Sequence, residues 1–85
     1  MNDVYLRTKI VHDLYERRTT SSDGIGATEI VPLARRIGAT AARTAVICSD
    51  LARHRHVEGD GNMMGFVRLS EIGFAYYEEI TRMNS

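Results

Sequence analysis

At 85 residues with zero formal net charge, the chain has room for one small domain, which excludes a two-domain enzyme and a dinucleotide-binding fold with its long sheet. Its 44% hydrophobic and 26% charged residues are ordinary for a globular domain and argue against disorder. No uncharged stretch approaches bilayer-spanning length, no signal peptide is visible, and the single cysteine, Cys48, fits a reducing compartment, so a cytoplasmic protein is expected.

The spacing predicts a first helix over residues 3–18. Val4, Val11, Leu14 and Tyr15 share one face, Leu6, Ile10 and Leu14 form the neighbouring row, and Asn2 or Asp3 can cap the start. Residues 19–26 read as a loop with Ile25 tucked inward. A second helix is expected over 28–37, capped by Thr28, with Ile30, Leu33, Ala34 and Ile37 at helical spacing. Pro32 is tolerated only in a first turn, so this helix starts late or begins distorted. Gly38 suits the left-handed stop that follows.

Thr40 caps a third helix expected over 41–54. Thr44, Ile47, Cys48 and Leu51 face inward on it, and Ala41, Ala42, Arg43, Ala45, Val46 and Ser49 face outward. Residues 55–57 and 66–69 read as two strands around a Gly/Asp/Asn cluster. Ser70 starts a last helix over 70–83, whose stripe of Gly73, Tyr76, Tyr77, Ile80 and Met83 is expected to continue the core. The predicted class is therefore mainly α with a small β-hairpin, in the order helix, helix, helix, hairpin, helix.

Charge is unevenly placed. Ten of the eleven basic residues are arginine, the side chain that best pairs planar phosphate oxygens. The middle of the chain, residues 17–68, is basic, and both ends are mildly acidic.

Leu33-Ala34, Arg36, Ile37-Gly38-Ala39-Thr40, then Thr44, Cys48 and Leu51, then Val57-Glu58, resemble the core of the winged helix-turn-helix family. Leu69-Ser70-Glu71-Ile72-Gly73 is similar to the start of the helix after the wing in regulators of the multiple-antibiotic-resistance type. The resemblance covers residues 28–80. It implies a duplex-DNA-binding transcriptional regulator with residues 41–54 as recognition helix in the major groove. Ala41, Ala42, Arg43, Ala45, Val46 and Ser49 would then face base edges, with Arg43 the clear reader. Thr28 and Thr40 would offer hydroxyl and N–H groups to phosphate at helix N-termini. Arg35, Arg36, Arg53 and Arg55 would lie over the backbone, and Arg68 would project from the returning wing strand. A homodimer through the first and last helices would set two recognition helices about 34 Å apart.

Two departures from the family pattern bear on this. Arg55-His56 stands where the family has Gly-Leu, so a different turn, without a positive backbone angle, is expected there. The wing tip at residues 59–62 has an acid and no basic group, and the outward helix face is apolar. Those features suit the alternative, a winged-helix module that docks protein and does not bind DNA.

No enzyme, metal or cofactor is expected. Cys48 lies off the side of the helix that carries His54, which with His56 and His12 leaves no tight ligand spacing. No Ser-His-Asp set, phosphate loop or His-Glu-x-x-His motif is present, and the adjacent Glu78 and Glu79 diverge on a helix. Met63, Met64 and Phe66 read as wing side chains that cover the core, with an adaptable contact to a partner as the alternative.

Overall fold

The computed structural model describes residues 2–59 and 65–83. In chain order the elements are α1 (Asp3–Thr20), β1 (Thr28–Glu29), α2 (Ile30–Ile37), α3 (Ala41–Arg53), β2 (Val57–Gly59), β3 (Phe66–Leu69) and α4 (Glu71–Met83). The fold is mainly helical with a small antiparallel sheet, three-stranded among the described residues in the order β1-β3-β2.

α1 begins where the Asn2 side chain accepts a hydrogen bond from the Tyr5 N–H at 2.8 Å. It buries the row Leu6, Ile10 and Leu14, leaves Val11 and Tyr15 partly buried and leaves Val4 74% exposed. The helix runs two residues past the expected end. Thr19 and Thr20 donate their hydroxyls back to the Glu16 carbonyl at 3.0 and 2.8 Å, which holds the last turn. Ile25, expected inward, is 43% exposed, because the turn before it closes through the Asp23 side chain rather than through an apolar contact.

The second helix starts late. Thr28 and Glu29, read from sequence as its first turn, form β1 and pair with Val67 and Phe66 of β3. α2 starts at Ile30, which leaves Pro32 in the first turn, where its missing N–H costs no helical hydrogen bond. Gly38 closes α2 in the left-handed region (φ 76°), with the Ala39 N–H on the Ala34 carbonyl at 3.0 Å. Thr40 then opens α3, its hydroxyl oxygen accepting from the Arg43 N–H at 3.1 Å.

The first strand of the hairpin is also shifted, from 55–57 to Val57–Gly59. Arg55 and His56 finish the helix instead, their N–H groups donating to the Ala52 and Leu51 carbonyls at 3.0 Å. Contrary to the expected change of turn, Arg55 keeps the positive angle (φ 64°). Two bonds from Ser70 hold that angle: its hydroxyl donates to the Arg55 carbonyl at 2.6 Å, and its N–H donates to the His56 carbonyl at 3.0 Å. The expectations for Asp60, Asn62, Met63 and Met64 at the wing tip lie outside the described residues. Phe66, expected to cover the core, alternates outward with Arg68 while Val67 and Leu69 point in.

The core joins Leu6, Ile10 and Leu14 of α1, Ile30, Leu33 and Ile37 of α2, Ile47, Cys48 and Leu51 of α3, and Val57, Val67 and Leu69 of the sheet. α4 reaches it through Phe74 and, of the expected stripe, Gly73, while the outer part of the stripe does not continue the core as expected. Tyr76 is 52% exposed and Met83 is 77% exposed. The reason is the angle at which α4 docks. Phe74 stacks on Tyr15 of α1 and Tyr77 packs tilted against it, at 5.0 and 4.7 Å between ring centroids, which turns the neighbouring stripe outward. Among the described residues, no helix is long and apolar enough to cross a membrane.

Candidate nucleic-acid interface

α3 is buried on one side only. Thr44, Ile47, Cys48 and Leu51 recur toward the core, as the sequence pattern predicts. Ala42, Val46, Ser49 and Arg53, at positions i, i+4, i+7 and i+11, make an exposed stripe. Ala41 and Ala45, expected on that face, are partly buried against the core. The exposed surface of α3 is thus narrower than the residue pattern suggests, with small side chains at Ala42, Val46 and Ser49 flanked by Arg43 and Arg53.

The arginines around α3 divide into two groups. Arg35 on α2, Arg53 at the end of α3 and Arg55 in the following turn are exposed, with no side-chain partner among the described residues. Arg36, Arg43 and Arg68 each hold a carboxylate. Arg36 donates Nε and Nη2 to the two carboxylate oxygens of Asp13 on α1, both at 2.9 Å, and Nη2 also reaches the Thr28 hydroxyl at 3.2 Å. Arg43 is paired through Nη2 with Asp3 at the start of α1. Arg68 pairs with Glu58 across the β2–β3 ladder at 3.0 Å.

These pairs change the reading of several positions. Thr28 is not at a helix N-terminus. It is 5% exposed in β1 and its hydroxyl is taken by Arg36, so it is not open to phosphate. The Thr40 side chain is at the α3 N-terminus as expected, though its hydroxyl already accepts from Arg43. The Arg36 guanidinium, expected over a DNA backbone, braces α2 and β1 against α1. The carboxylates that hold Arg36 and Arg43, Asp13 and Asp3, and the further pair of Arg7 with Asp50 on α3, carry no local signature. Asp3 and Arg43 are 40 positions apart, and only the fold brings them together.

Set against protein-family models, curated proteins and solved structures, the chain matches none.

Among the described residues no group of three or more His, Cys, Asp or Glu side chains is placed to hold a metal ion. Cys48 is fully buried, and burial pushes its thiol pKa up to about 12. The thiol therefore stays protonated through neutral pH and is expected to resist alkylation by iodoacetamide at pH 8 until the chain is denatured. Mass spectrometry before and after addition of denaturant checks this, and rapid labelling of the native chain would show that α3 is not packed as described.

Proposed function

We propose that the chain is a winged-helix protein that binds duplex DNA through α3 and acts in transcriptional regulation as a homodimer in the cytoplasm. The order α1-β1-α2-α3-β2-β3-α4, with β1 added to the hairpin and the Gly38–Thr40 turn between α2 and α3, supports that architecture. One observation carries the DNA reading. The exposed stripe of α3 consists of small side chains and ends in arginine, and Arg35, Arg53 and Arg55, on α2, α3 and the turn after it, are exposed with no carboxylate partner among the described residues. Alanine and valine methyls allow close approach to a groove floor and contact the thymine methyl. Arg35, Arg53 and Arg55 supply phosphate contacts that orient the helix. Arg43 adds a base or phosphate contact once it leaves Asp3.

The dimer is supported by α4. Ile72, Tyr76, Ile80 and Met83 are exposed on it, Val4 is exposed on α1, and α4 buries only Gly73 against the rest of the chain. Beside it, Val11, Leu51, His54, His56, Tyr77 and Ile80 line an open groove of about 320 Å³.

Fluorescence anisotropy of a mixed-sequence duplex, titrated across a salt series, tests the reading. Three free arginines per chain in a dimer give an expected log–log slope of about −3 to −6, because each neutralised phosphate releases close to one counterion. Two chains per bound duplex are expected. Absence of binding at ~20 mM salt, where non-specific affinity is strongest, overturns it. The 67% exposure of Val46 beside Ala42 favours the second reading in that event, a module that docks protein on the same face.

A further inference from the structure

We infer that Asp3, the first residue of α1, sets the DNA affinity of α3 by competing with DNA for Arg43. This rests on the DNA reading of α3 proposed above.

Two of the ion pairs that α1 makes to α2 and α3 are of different kinds. Arg36 meets Asp13 with two parallel N–H···O bonds and adds Thr28, in a site where the Asp13 side chain is only 18% exposed. That is a brace between elements. Arg43 meets Asp3 through one nitrogen, and the two side chains are 47% and 64% exposed. A single-pronged pair in that much water is weak and salt-sensitive. It exchanges readily for another anion.

Neither backbone needs to move for the exchange. The Arg43 N–H is fixed on the Thr40 hydroxyl in the first turn of α3, so only the side chain has to swing. The α1 start is capped by Asn2, whose side chain accepts from Tyr5, so that cap does not depend on the Asp3 carboxylate. Asp3 does favour the positive end of the α1 dipole, a small effect at an exposed position.

Asp3 therefore opposes DNA twice. It occupies the arginine that would contact the base or phosphate, and once displaced it stands as an unpaired negative charge beside a polyanion. The pair also masks Arg43 in the salt dependence. When Arg43 passes from Asp3 to a phosphate, the counterion released from DNA is balanced by a cation gathered at Asp3. Removing the carboxylate removes that balance, and the log–log slope steepens by about 0.9 per chain.

The test compares four proteins on one mixed-sequence duplex by anisotropy across a salt series: the unmodified chain, Asp3→Asn, Arg43→Ala and the double variant. Asp3→Asn is expected to bind at least ~5-fold tighter at low salt, with the steeper slope. In the Arg43→Ala background the same change is expected to matter less than ~2-fold, since only the longer-range repulsion remains. If Asp3→Asn does not melt like the unmodified chain, Asp3→Ser, another good residue for a helix start, replaces it. Duplex binding by the unmodified chain with no gain and no change of slope in Asp3→Asn overturns the inference and leaves the DNA reading standing. Failure of all four proteins to bind overturns the DNA reading and the inference with it.

Discussion

Replacing Gly73 by alanine is expected to destabilise the chain by about 3 kcal/mol or more, although alanine is the better helix former. Gly73 lies in the first turn of α4, where that helix packs on the turn between α3 and β2 at His56. A Cβ at this position would fall 2.0 Å from the carbonyl oxygen of His56 and 2.9 Å from its carbon. Both atoms are backbone, so no side chain can turn aside. That carbonyl also accepts the Ser70 N–H at 3.0 Å, and the Gly73 N–H donates to the Ser70 hydroxyl at 2.9 Å. Moving α4 outward breaks this joint and uncovers Leu51 and Val57. The gain in helix propensity, about 1 kcal/mol, offsets only part of the loss. Thermal unfolding followed by circular dichroism should show a fall of more than ~10 °C, since each kcal/mol moves the midpoint of a domain this size by about 4–8 °C. Gly24→Ala is the control. Its Cβ meets nothing within 4 Å and only the positive φ of 71° is strained, so its loss should be near ~1 kcal/mol. Equal melting of Gly73→Ala and the unmodified chain would show that α4 does not dock on the turn at His56.

Arg36→Ala is expected to lower stability by about 2 kcal/mol and to leave the DNA affinity of the folded chain unchanged within about twofold. Exposed ion pairs contribute about 0–1 kcal/mol, and Arg36 is 33% exposed, so screening limits its effect. Three features raise it above that range. The contact is two-pronged, Asp13 is mostly shielded, and Arg36 also serves the buried Thr28 hydroxyl. Loss of the guanidinium leaves a carboxylate and a hydroxyl short of donors between α1, α2 and β1. Arg36→Lys should recover little, because an ammonium group cannot span both carboxylate oxygens and Thr28 in that plane. Urea unfolding paired with duplex titration separates the two roles. Unchanged stability with lost DNA binding would return Arg36 to the binding face.

The two variants bear on what is readable in a sequence of this kind. Helical spacing located α1, α3 and the start of α4 within two residues, because apolar periodicity and the capping groups Asn2, Thr40 and Ser70 act over one or two turns. The inward row of α3 is legible for the same reason. The start of α2 is not. Thr28 is a good cap by residue type, and it lies in a strand only because Val67, far along the chain, offers its backbone for pairing. The exposed stripe of α4 misleads in the opposite sense. Tyr76, Ile80 and Met83 have the spacing of a core face, yet the Phe74–Tyr15 stack decides which side of the helix turns inward.

The candidate interface shows the same division more sharply. That arginines crowd the middle of the chain, and that α3 presents alanine and valine outward, follow from residue order and the helical repeat. Which arginines are free is decided by the tertiary structure alone. Arg36 and Arg43 are held by carboxylates of α1, 23 and 40 positions away, while Arg35, Arg53 and Arg55 are not. Local sequence determines secondary structure and caps because those energies act between near neighbours along the chain. Electrostatic partners depend on distance in space, and that distance is set only when α1 packs across α2 and α3.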